Sequence, residues 1–229
     1  MSSASPRSIR RKTVAAPAGL IAAAAAVALL WWGASSLRHL LLQSNAFDLG
    51  IYDQGAWLIS QGLEARSTLL GLHHMGNHGA WAFYPMGILY RIQPSVQWLF
   101  LLQSGCLAFT ALPLWQVARR RGLSARLCWL VCLAWWLQPV VFRTNLYDFH
   151  PETLAMPLLA GLFVQNAANR WIAWMLLLVL VMGFRDGLCL IVIGLAFCEA
   201  LRRRWRWSLG ALVLGVGWLL FLSRVLYPL

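Results

Sequence analysis

Acidic and histidine side chains gather in four short stretches of this sequence. The stretches are "NAFDLGIYDQGAW" (45–57), "LHHMGNHGAWAFYP" (72–85), "RTNLYDFHPE" (143–152) and "GFRDGL" (183–188). Carboxylates and imidazoles can exchange protons in general acid–base catalysis, and arginine can bind a phosphate. Because the chain has only seven acidic residues and five of them lie here, these stretches are candidate sites.

The first stretch predicts an amphipathic helix that begins at Asn45 or Asp48 and ends near Gly62. Its apolar residues recur at helical spacing: Leu49, Tyr52, Ala56, Ile59 and Leu63. Asp48 and Asp53 are five positions apart, about 140° around a helix, so at most one of them faces a given site. The structural alternative is a helix cap for Asp48 and a solvated face for Asp53.

The histidine stretch has the spacing of a metal site without its other ligands. His74 and His78 would share a helix face, but no glutamate is adjacent as in the H-E-x-x-H motif. Gly76 and Gly79 also weaken any helix here. We therefore favour loop histidines hydrogen-bonded near the membrane interface. The sequence does not identify a cofactor, since no specific motif supports a divalent metal.

The third stretch combines residues with structural and functional interpretations. Pro151 suits the first turn of a helix, and Glu152 beside it is favoured by the positive helix N-terminus. Asp148 and His150 are costly beside hydrocarbon without partners, so the two interpretations are equally supported for them.

The fourth stretch places Arg185 next to Asp186 between two apolar runs. Each charge would cost roughly 2.5–3.5 kcal/mol at the middle of a membrane. This cost favours an interface, a polar cavity or a mutual ion pair, and the structural alternative is an ion pair alone.

The elements that position these residues are membrane helices. The chain is 60% hydrophobic, with a mean hydropathy of +0.65. Its charged residues make up 11%, well below the quarter that is typical of soluble domains. The net charge of +12 comes from short clusters between apolar runs, "RSIRRK", "RRRGLSAR" and "RRRWR". This pattern is typical of cytoplasmic loops and of contact with anionic membrane lipids, and it disfavours a nucleic-acid partner.

We predict an all-α, polytopic protein with one integral-membrane domain over 1–229, about seven transmembrane helices and a cytoplasmic N-terminus. A basic tail (1–19) precedes a first span at 20–37, an outer loop with interfacial helices (38–93) and the remaining spans (94–229). Those spans are expected at 94–118, 127–142, 152–168, 171–184, 187–201 and 207–227. The apolar run 171–201 would be about 46 Å long as one helix, so we divide it into a hairpin at Arg185-Asp186.

This topology separates the charges. The cytoplasmic side receives 13 basic residues and Glu199, for 13 − 1 = +12, and the outer side receives six basic and six acidic residues, for 6 − 6 = 0. All five histidines are also outside. The five cysteines lie in apolar runs without a CxxC pair and are expected to be small apolar residues. Any chemistry is therefore expected on the outer face.

Four motifs together resemble a known family of bacterial and archaeal membrane proteins, domain of unknown function 2079. They are "FDLGIYDQGAW", the segment from His78 to Pro85, "PSVQWLFLLQ" and "DFHPE", and the resemblance covers about Asn45 to Leu201. Family members are usually longer, so this chain is expected to be either an incomplete version of a longer family chain or a shortened paralogue. The family is in turn similar to GT-C membrane glycosyltransferases, which take a sugar from a polyprenyl-phosphate carrier on the outer face.

The resemblance implies a catalytic role for Asp48, the position that matches the acidic residue of the first outer loop. A carboxylate there would accept the proton of the attacking hydroxyl. Arg185, His150 and His78, with Arg143 as a weaker candidate, would meet the leaving phosphate. Asp53, Asp148, Glu152 and Asp186 are further candidates for substrate or phosphate binding. An acidic pair is expected where Arg185-Asp186 stands, which argues against a metal role at this position.

The alternative function is a non-catalytic multi-pass protein of the cell inner membrane, either a transporter or an envelope-assembly component. Transporters usually place ionisable residues near the bilayer midplane in repeated halves, and this chain has its acids at span ends and no repeat. An inactive remnant of the enzyme family is a further alternative.

Overall fold

A computed structural model describes residues 15–227, and they form an all-helical protein, as predicted. The twelve α-helices are α1 (Ala18–Leu40), α2 (Ala46–Ser60), α3 (His74–His78), α4 (Met86–Ile92), α5 (Gln97–Phe109), α6 (Ala111–Arg120), α7 (Ala125–Trp136), α8 (Pro139–Leu146), α9 (Met156–Ala167), α10 (Trp171–Met182), α11 (Leu188–Leu201) and α12 (Trp205–Phe221). Short 3₁₀ turns lie at Trp81–Phe83 and Pro151–Ala155, and a π turn at Leu222–Leu226 follows α12. Over this range there is no strand, only an isolated bridge between Arg66 and His73.

Within residues 15–227, three helical segments are long and apolar enough to cross a membrane. They are α1 with 23 residues, α5 and α6 together with 24, and α12 with its π turn with 22. The pair α7 and α8, bent by 44°, would be a fourth span. Pro139 opens α8 and lacks the N–H that would continue α7, which explains the break. The helices α10 and α11, with 12 and 14 residues, are apolar but shorter than the roughly 20 residues a span needs.

The apolar run 171–201 forms the predicted hairpin, with its turn at residues 183–187. Helix α12 lies beside α10, where the rings of Trp174 and Trp207 are 5.1 Å apart. It also packs against α11 at Gly215, where an added Cβ would overlap Ile193. Trp174 and Trp207 both lie near the start of their helices, so α10 and α12 run in the same direction. Because α12 turns back from α11, α10 and α11 run in opposite directions.

Three apolar cores hold the helices together. The first joins α1 to α6 and α7, the second joins α2, α4 and α5 around Phe149, and the third joins α9 to α12. The cysteines are free thiols. Four of them are buried or half-buried as predicted, and Cys198 is the exception because it lies on an exposed face of α11.

The arginine-rich turns meet at one end of the bundle, which we call the basic end. Arg204 donates hydrogen bonds to the side chains of Asn166 and Asn169, each at 2.9 Å, and joins Arg202 around Glu199. The basic end contains Arg119, Arg120, Arg121, Arg126, Arg170, Arg202, Arg203, Arg204 and Arg206.

The opposite end, which we call the carboxylate end, contains Asp48, Asp53, Glu64, Asp148, Glu152, Asp186 and all five histidines. Among residues 15–227 the predicted separation of charges is therefore present, while the basic residues of the predicted tail (Arg7, Arg10, Arg11 and Lys12) lie outside the described residues.

Gly183 allows a close approach between two segments at the carboxylate end. Its carbonyl accepts the Ala82 N–H at 2.8 Å, and an added Cβ would overlap the indole of Trp81. This contact holds the segment before α4 against the turn of the α10–α11 hairpin.

Changing Gly183 to alanine is expected to lower the free energy of unfolding by about 1–3 kcal/mol, because the new methyl group displaces the Trp81 ring. Detergent-induced unfolding in mixed micelles measures the change. Gly187→Ala in the same turn is the matched control, since open space surrounds that position. Equal losses in the two variants would contradict the packing argument.

Candidate functional site

Asp148 connects three segments of the carboxylate end. Its side chain is fully buried, Arg38 Nη1 lies 2.7 Å from Oδ1, and the Asn45 N–H donates to Oδ2 at 2.6 Å. Arg38 ends α1 and Asn45 precedes α2, so one carboxylate joins both helix ends to the "DFHPE" segment. These bonds account for Asp148 as a structural residue, and they identify Arg38, which the sequence motifs did not indicate, as its partner.

Gln103 in α5 fixes the shape of the segment that carries His150. The Gln103 side chain is 1% exposed. Its Nε2 lies within 3.3 Å of three backbone carbonyl oxygens that it can donate to, those of Thr144, Asn145 and Tyr147. Its Oε1 accepts the His150 N–H at 3.0 Å and the Thr153 hydroxyl at 3.1 Å. The only sequence signal for this role is an amide inside an otherwise apolar run, at the end of "PSVQWLFLLQ".

The two aspartates of α2 point to different partners, as the helix geometry predicts. Asn45 is the N-cap, and its side chain accepts the Phe47 N–H at 3.0 Å, so Asp48 lies in the first turn instead. The Tyr147 hydroxyl donates to Asp48 Oδ2 at 3.2 Å. The Tyr90 hydroxyl donates to Asp53 at 2.7 Å on another side of the helix. Asp48 alone therefore lies next to the "DFHPE" segment.

Arg185 and Asp186 each have a different partner and do not pair with one another. Arg185 forms an ion pair with Glu152, while Asp186 accepts the Tyr227 hydroxyl at 2.7 Å and lies 3.5 Å from His78. The mutual pair that the sequence suggested is absent from this turn. The charges instead connect the α10–α11 turn to the start of α9, to α3 and to the end of α12.

Tyr52 links Asp48 electrostatically to these pairs. It is one helical turn beyond Asp48 in α2 and is 5% exposed. Burial raises its pKa, the charge of Glu152 raises it further, Arg185 lowers it, and Asp48 and Asp186 add smaller increases. The Tyr52 hydroxyl is thus in the field of both the candidate base and the Arg185 ion pair. Sequence periodicity had assigned Tyr52 only to the apolar face.

A recess of about 330 Å³ opens between Tyr147, which contacts Asp48, and Glu152, which pairs with Arg185. Its lining residues are Arg143, Thr144, Tyr147, His150, Glu152 and Thr153. The Nδ1 atom of His150 lies 2.7 Å from the Asp148 carbonyl oxygen. Because a carbonyl can only accept, Nδ1 carries the proton and Nε2 of the neutral ring is free to accept one. The recess therefore offers one carboxylate, one imidazole and a nearby guanidinium to a ligand.

The histidines of α3 do not converge. His74 is buried against Phe83, with ring centres 4.7 Å apart, and its Nε2 lies 3.2 Å from the Ala80 carbonyl. Burial lowers the pKa of His74 to about 4. His78 faces Asp186, and its pKa is lowered by burial and by Arg185 while Asp186 opposes the shift. In residues 15–227, no three His, Cys, Asp or Glu side chains form a group that could hold a metal ion.

The fold keeps His74 neutral, so acid is expected to destabilise the protein through this residue. The unfolded chain protonates near pH 6.5 and the folded chain near pH 4, so stability is complete above pH 6.5 and falls as the pH drops towards 4. At about 1.4 kcal/mol per pKa unit, the total loss is about 3 kcal/mol. The measurement compares the unfolding free energies of wild type and His74→Phe between pH 7 and 4. Parallel curves for the two proteins would contradict this prediction.

Comparison with known proteins gives one match. The family model described as "Predicted membrane protein (DUF2079)" matches residues 38–229, a range that includes every site residue described above. Neither the curated proteins nor the solved structures contain a match to the chain.

Proposed function

This chain belongs to the DUF2079 family of predicted membrane proteins, and we propose that it is a GT-C-type glycosyltransferase that uses a polyprenyl-phosphate-linked sugar. The reaction takes place on the outer face of the cell inner membrane. The observation that carries the proposal is the position of Asp48 beside the "DFHPE" segment. Its carboxylate accepts the hydroxyl of Tyr147, and Tyr147 lines the same recess as Glu152, the ion-pair partner of Arg185.

The proposed topology has seven spans, with the basic end in the cytoplasm. It is supported by the separation of the two ends, since lysine and arginine loops resist translocation. In this topology α1, α5–α6, α7–α8, α9, α10, α11 and α12 each cross the bilayer. The short α10 and α11 are accommodated by local thinning of the membrane around their turn.

Asp48 acts as the general base in the proposed reaction. Its carboxylate is half-buried, and Tyr147 is the one hydrogen-bond partner of its side chain among the described residues. A carboxylate with a free oxygen can accept the proton of a sugar-acceptor hydroxyl. The hydroxyl oxygen forms a bond to the anomeric carbon, the bond from that carbon to the phosphate oxygen breaks, and its electron pair leaves with the phosphate.

Cationic and donor groups near Asp48 stabilise the leaving phosphate. Arg185 carries a positive charge next to Glu152, and His78 and His150 supply further donors when protonated. Charge that develops on the phosphate is best stabilised by groups already fixed in place. The ion pair of Arg185 with Glu152 and the hydrogen bonds around His150 provide that fixation.

A transfer assay tests the proposal. The purified protein in liposomes is supplied with a radiolabelled sugar on a polyprenyl phosphate and with membrane extract as the source of acceptor. The proposal expects label to move from the lipid to a product, and it fails if protein-free liposomes give the same result. Labelling that locates Asp48 and Asp148 on the cytoplasmic side would contradict both the topology and the enzyme.

The non-catalytic alternative gains support from a different observation. Asp148, Glu152 and Asp186 each have a basic side chain within the protein, as expected of carboxylates that only connect helices. If the protein is a transporter or an assembly component, the carboxylate end only stabilises the fold. The protein would then insert stably and would transfer no sugar from any polyprenyl phosphate.

A further inference from the structure

The basic end contains a second recess, far from the carboxylate end. It has a volume of about 450 Å³ and lies where α6, α9 and the end of α11 meet. Its lining residues are Val117, Arg120, Arg121, Phe163, Asn166, Ala167 and Arg202. Three arginines around one recess make it a site for an anion.

Arg120 has buried guanidinium nitrogens in this recess that lack a partner. Its Nε and Nη1 atoms are buried and have no hydrogen-bond partner among residues 15–227. Buried polar groups are nearly always paired, so two unpaired guanidinium nitrogens require an explanation. A phosphate in the recess has several acceptor oxygens and would supply acceptors that these nitrogens lack within the protein.

The neighbouring charges already have partners inside the protein. Glu199 is occupied by Arg202 and Arg204, at 3.0 and 3.1 Å. Arg204 also stacks on Trp207, and Arg206 stacks on Trp171. Glu199 is the only acid at the basic end among the described residues, so the charge of Arg120 is left for a ligand from outside.

The other wall of the recess is apolar. Val117 and Phe163 line it, and Phe163 is 54% exposed on the face of α9 that continues into the apolar surface. A free phosphate ion would gain nothing from this wall. A phospholipid would place its phosphate against Arg120 and its acyl chains along Phe163.

We infer that this recess binds the phosphodiester headgroup of an anionic phospholipid from the adjacent leaflet, with Arg120 as its main donor. Basic pockets between transmembrane helices on the cytoplasmic side are suited to such headgroups. The bound lipid would join α6, α9 and α11 at an end of the bundle where few acids are available to do so. This inference is independent of the proposed transferase activity.

Native mass spectrometry of the full-length protein tests the inference. The protein is released from nanodiscs in which phosphatidylglycerol is titrated into phosphatidylcholine, and retained lipids are counted. Wild type is expected to retain phosphatidylglycerol in preference to phosphatidylcholine. Arg120→Gln is expected to weaken this retention by about tenfold or more, because each lost charge-assisted hydrogen bond is worth about tenfold and Arg120 offers two unpaired donors.

Arg126→Gln is the matched control, because Arg126 is an exposed arginine of the basic end that does not line the recess. Its retention of phosphatidylglycerol should stay within about twofold of wild type, as expected of a surface charge. In lipid-free detergent, Arg120→Gln should be as thermally stable as wild type, because it removes an unpaired group. If Arg120→Gln does not insert, Arg121→Gln replaces it with the same expected direction.

Three results would overturn the inference. Equal retention of phosphatidylglycerol and phosphatidylcholine would show that the recess does not select an anionic lipid. An equal loss in Arg126→Gln would attribute binding to the overall charge of the basic end. Displacement of phosphatidylglycerol by inorganic phosphate at the same concentration would assign the recess to a free anion.

Discussion

Replacing Asp48 by asparagine is expected to reduce sugar transfer by about 10²- to 10⁴-fold, the contribution typical of a general base. Asparagine keeps the size of the side chain and can still accept the Tyr147 hydroxyl proton, which now binds Asp48 Oδ2 at 3.2 Å. It cannot take a proton from an acceptor hydroxyl. The fall should therefore appear in kcat, with insertion and thermal stability unchanged.

The control for this variant is Glu64→Gln. Glu64 is an exposed acid of the same end, and its ion-pair partner is the exposed Arg66. Glu64→Gln removes one negative charge from the carboxylate end and leaves the contacts of Asp48 unchanged. Transfer activity should therefore stay within a few-fold of wild type. Unchanged activity in Asp48→Asn would remove the assignment of the base. A larger loss in Asp53→Asn than in Asp48→Asn would move the base to the side of α2 that Tyr90 contacts.

Replacing Arg38 by methionine is expected to lower the free energy of unfolding by about 3–5 kcal/mol, the usual cost of breaking a buried ion pair on one side. Methionine keeps the apolar stem of the side chain. Asp148, whose side chain is 0% exposed, is then left with the Asn45 N–H alone. Equilibrium unfolding in mixed detergent micelles, followed by tryptophan fluorescence, measures the change.

Arg66→Met supplies the matched control, since it breaks a pair whose side chains are 56% and 60% exposed. Exposed pairs contribute about 0–1 kcal/mol, so this variant should be close to wild type. The double variant Arg38→Met/Asp148→Asn should be more stable than Arg38→Met, because the neutral amide carries no uncompensated charge and its oxygen still accepts from Asn45. Equal effects of Arg38→Met and Arg66→Met would contradict the structural role of Asp148.

The elements that sequence patterns predicted well are those set by local spacing. The helix over 46–60 and the hairpin at residues 183–187 follow from residues within a few positions of each other. The sequence predicts the cap at Asn45 or Asp48, and the structure has it at Asn45. The separation of charge into two ends follows from a rule about translocation, which acts loop by loop. The all-helical class follows from the need to satisfy every backbone group inside hydrocarbon.

The partners of the candidate residues could not be predicted, because they are distant in the chain. The sequence indicates that Asp148 needs a partner, but several arginines could serve, and Arg38 is 110 positions away. Gln103 contacts residues more than 40 positions later, and nothing in its local pattern distinguishes it from other amides. Arg185 and Asp186 show the same limit. Their adjacency suggested an ion pair between them, but Arg185 pairs with Glu152 and Asp186 lies next to His78.

Burial also could not be assigned within the histidine stretch. The spacing of His74 and His78 placed them on one face of a helix, but α3 has only five residues and ends at Gly79, which has a φ of 58°. His74 turns into the aromatic core around Phe83, and His78 faces Asp186. A single helical turn orients its residues according to what packs on it, so periodicity carries little information there.

The distance in sequence between α1 and its polar partners also sets a time order for assembly. Gln97 can bind Trp32 and Ser36 as soon as α5 is made, but Ser35 and Arg38 wait for Asn145 and Asp148, which are 110 positions later. At about 5–20 residues per second, the ribosome needs roughly 5–20 s to supply them. For that interval the arginine near the C-terminal end of α1 has no partner, so α1 can dock on α5 before the carboxylate end is formed.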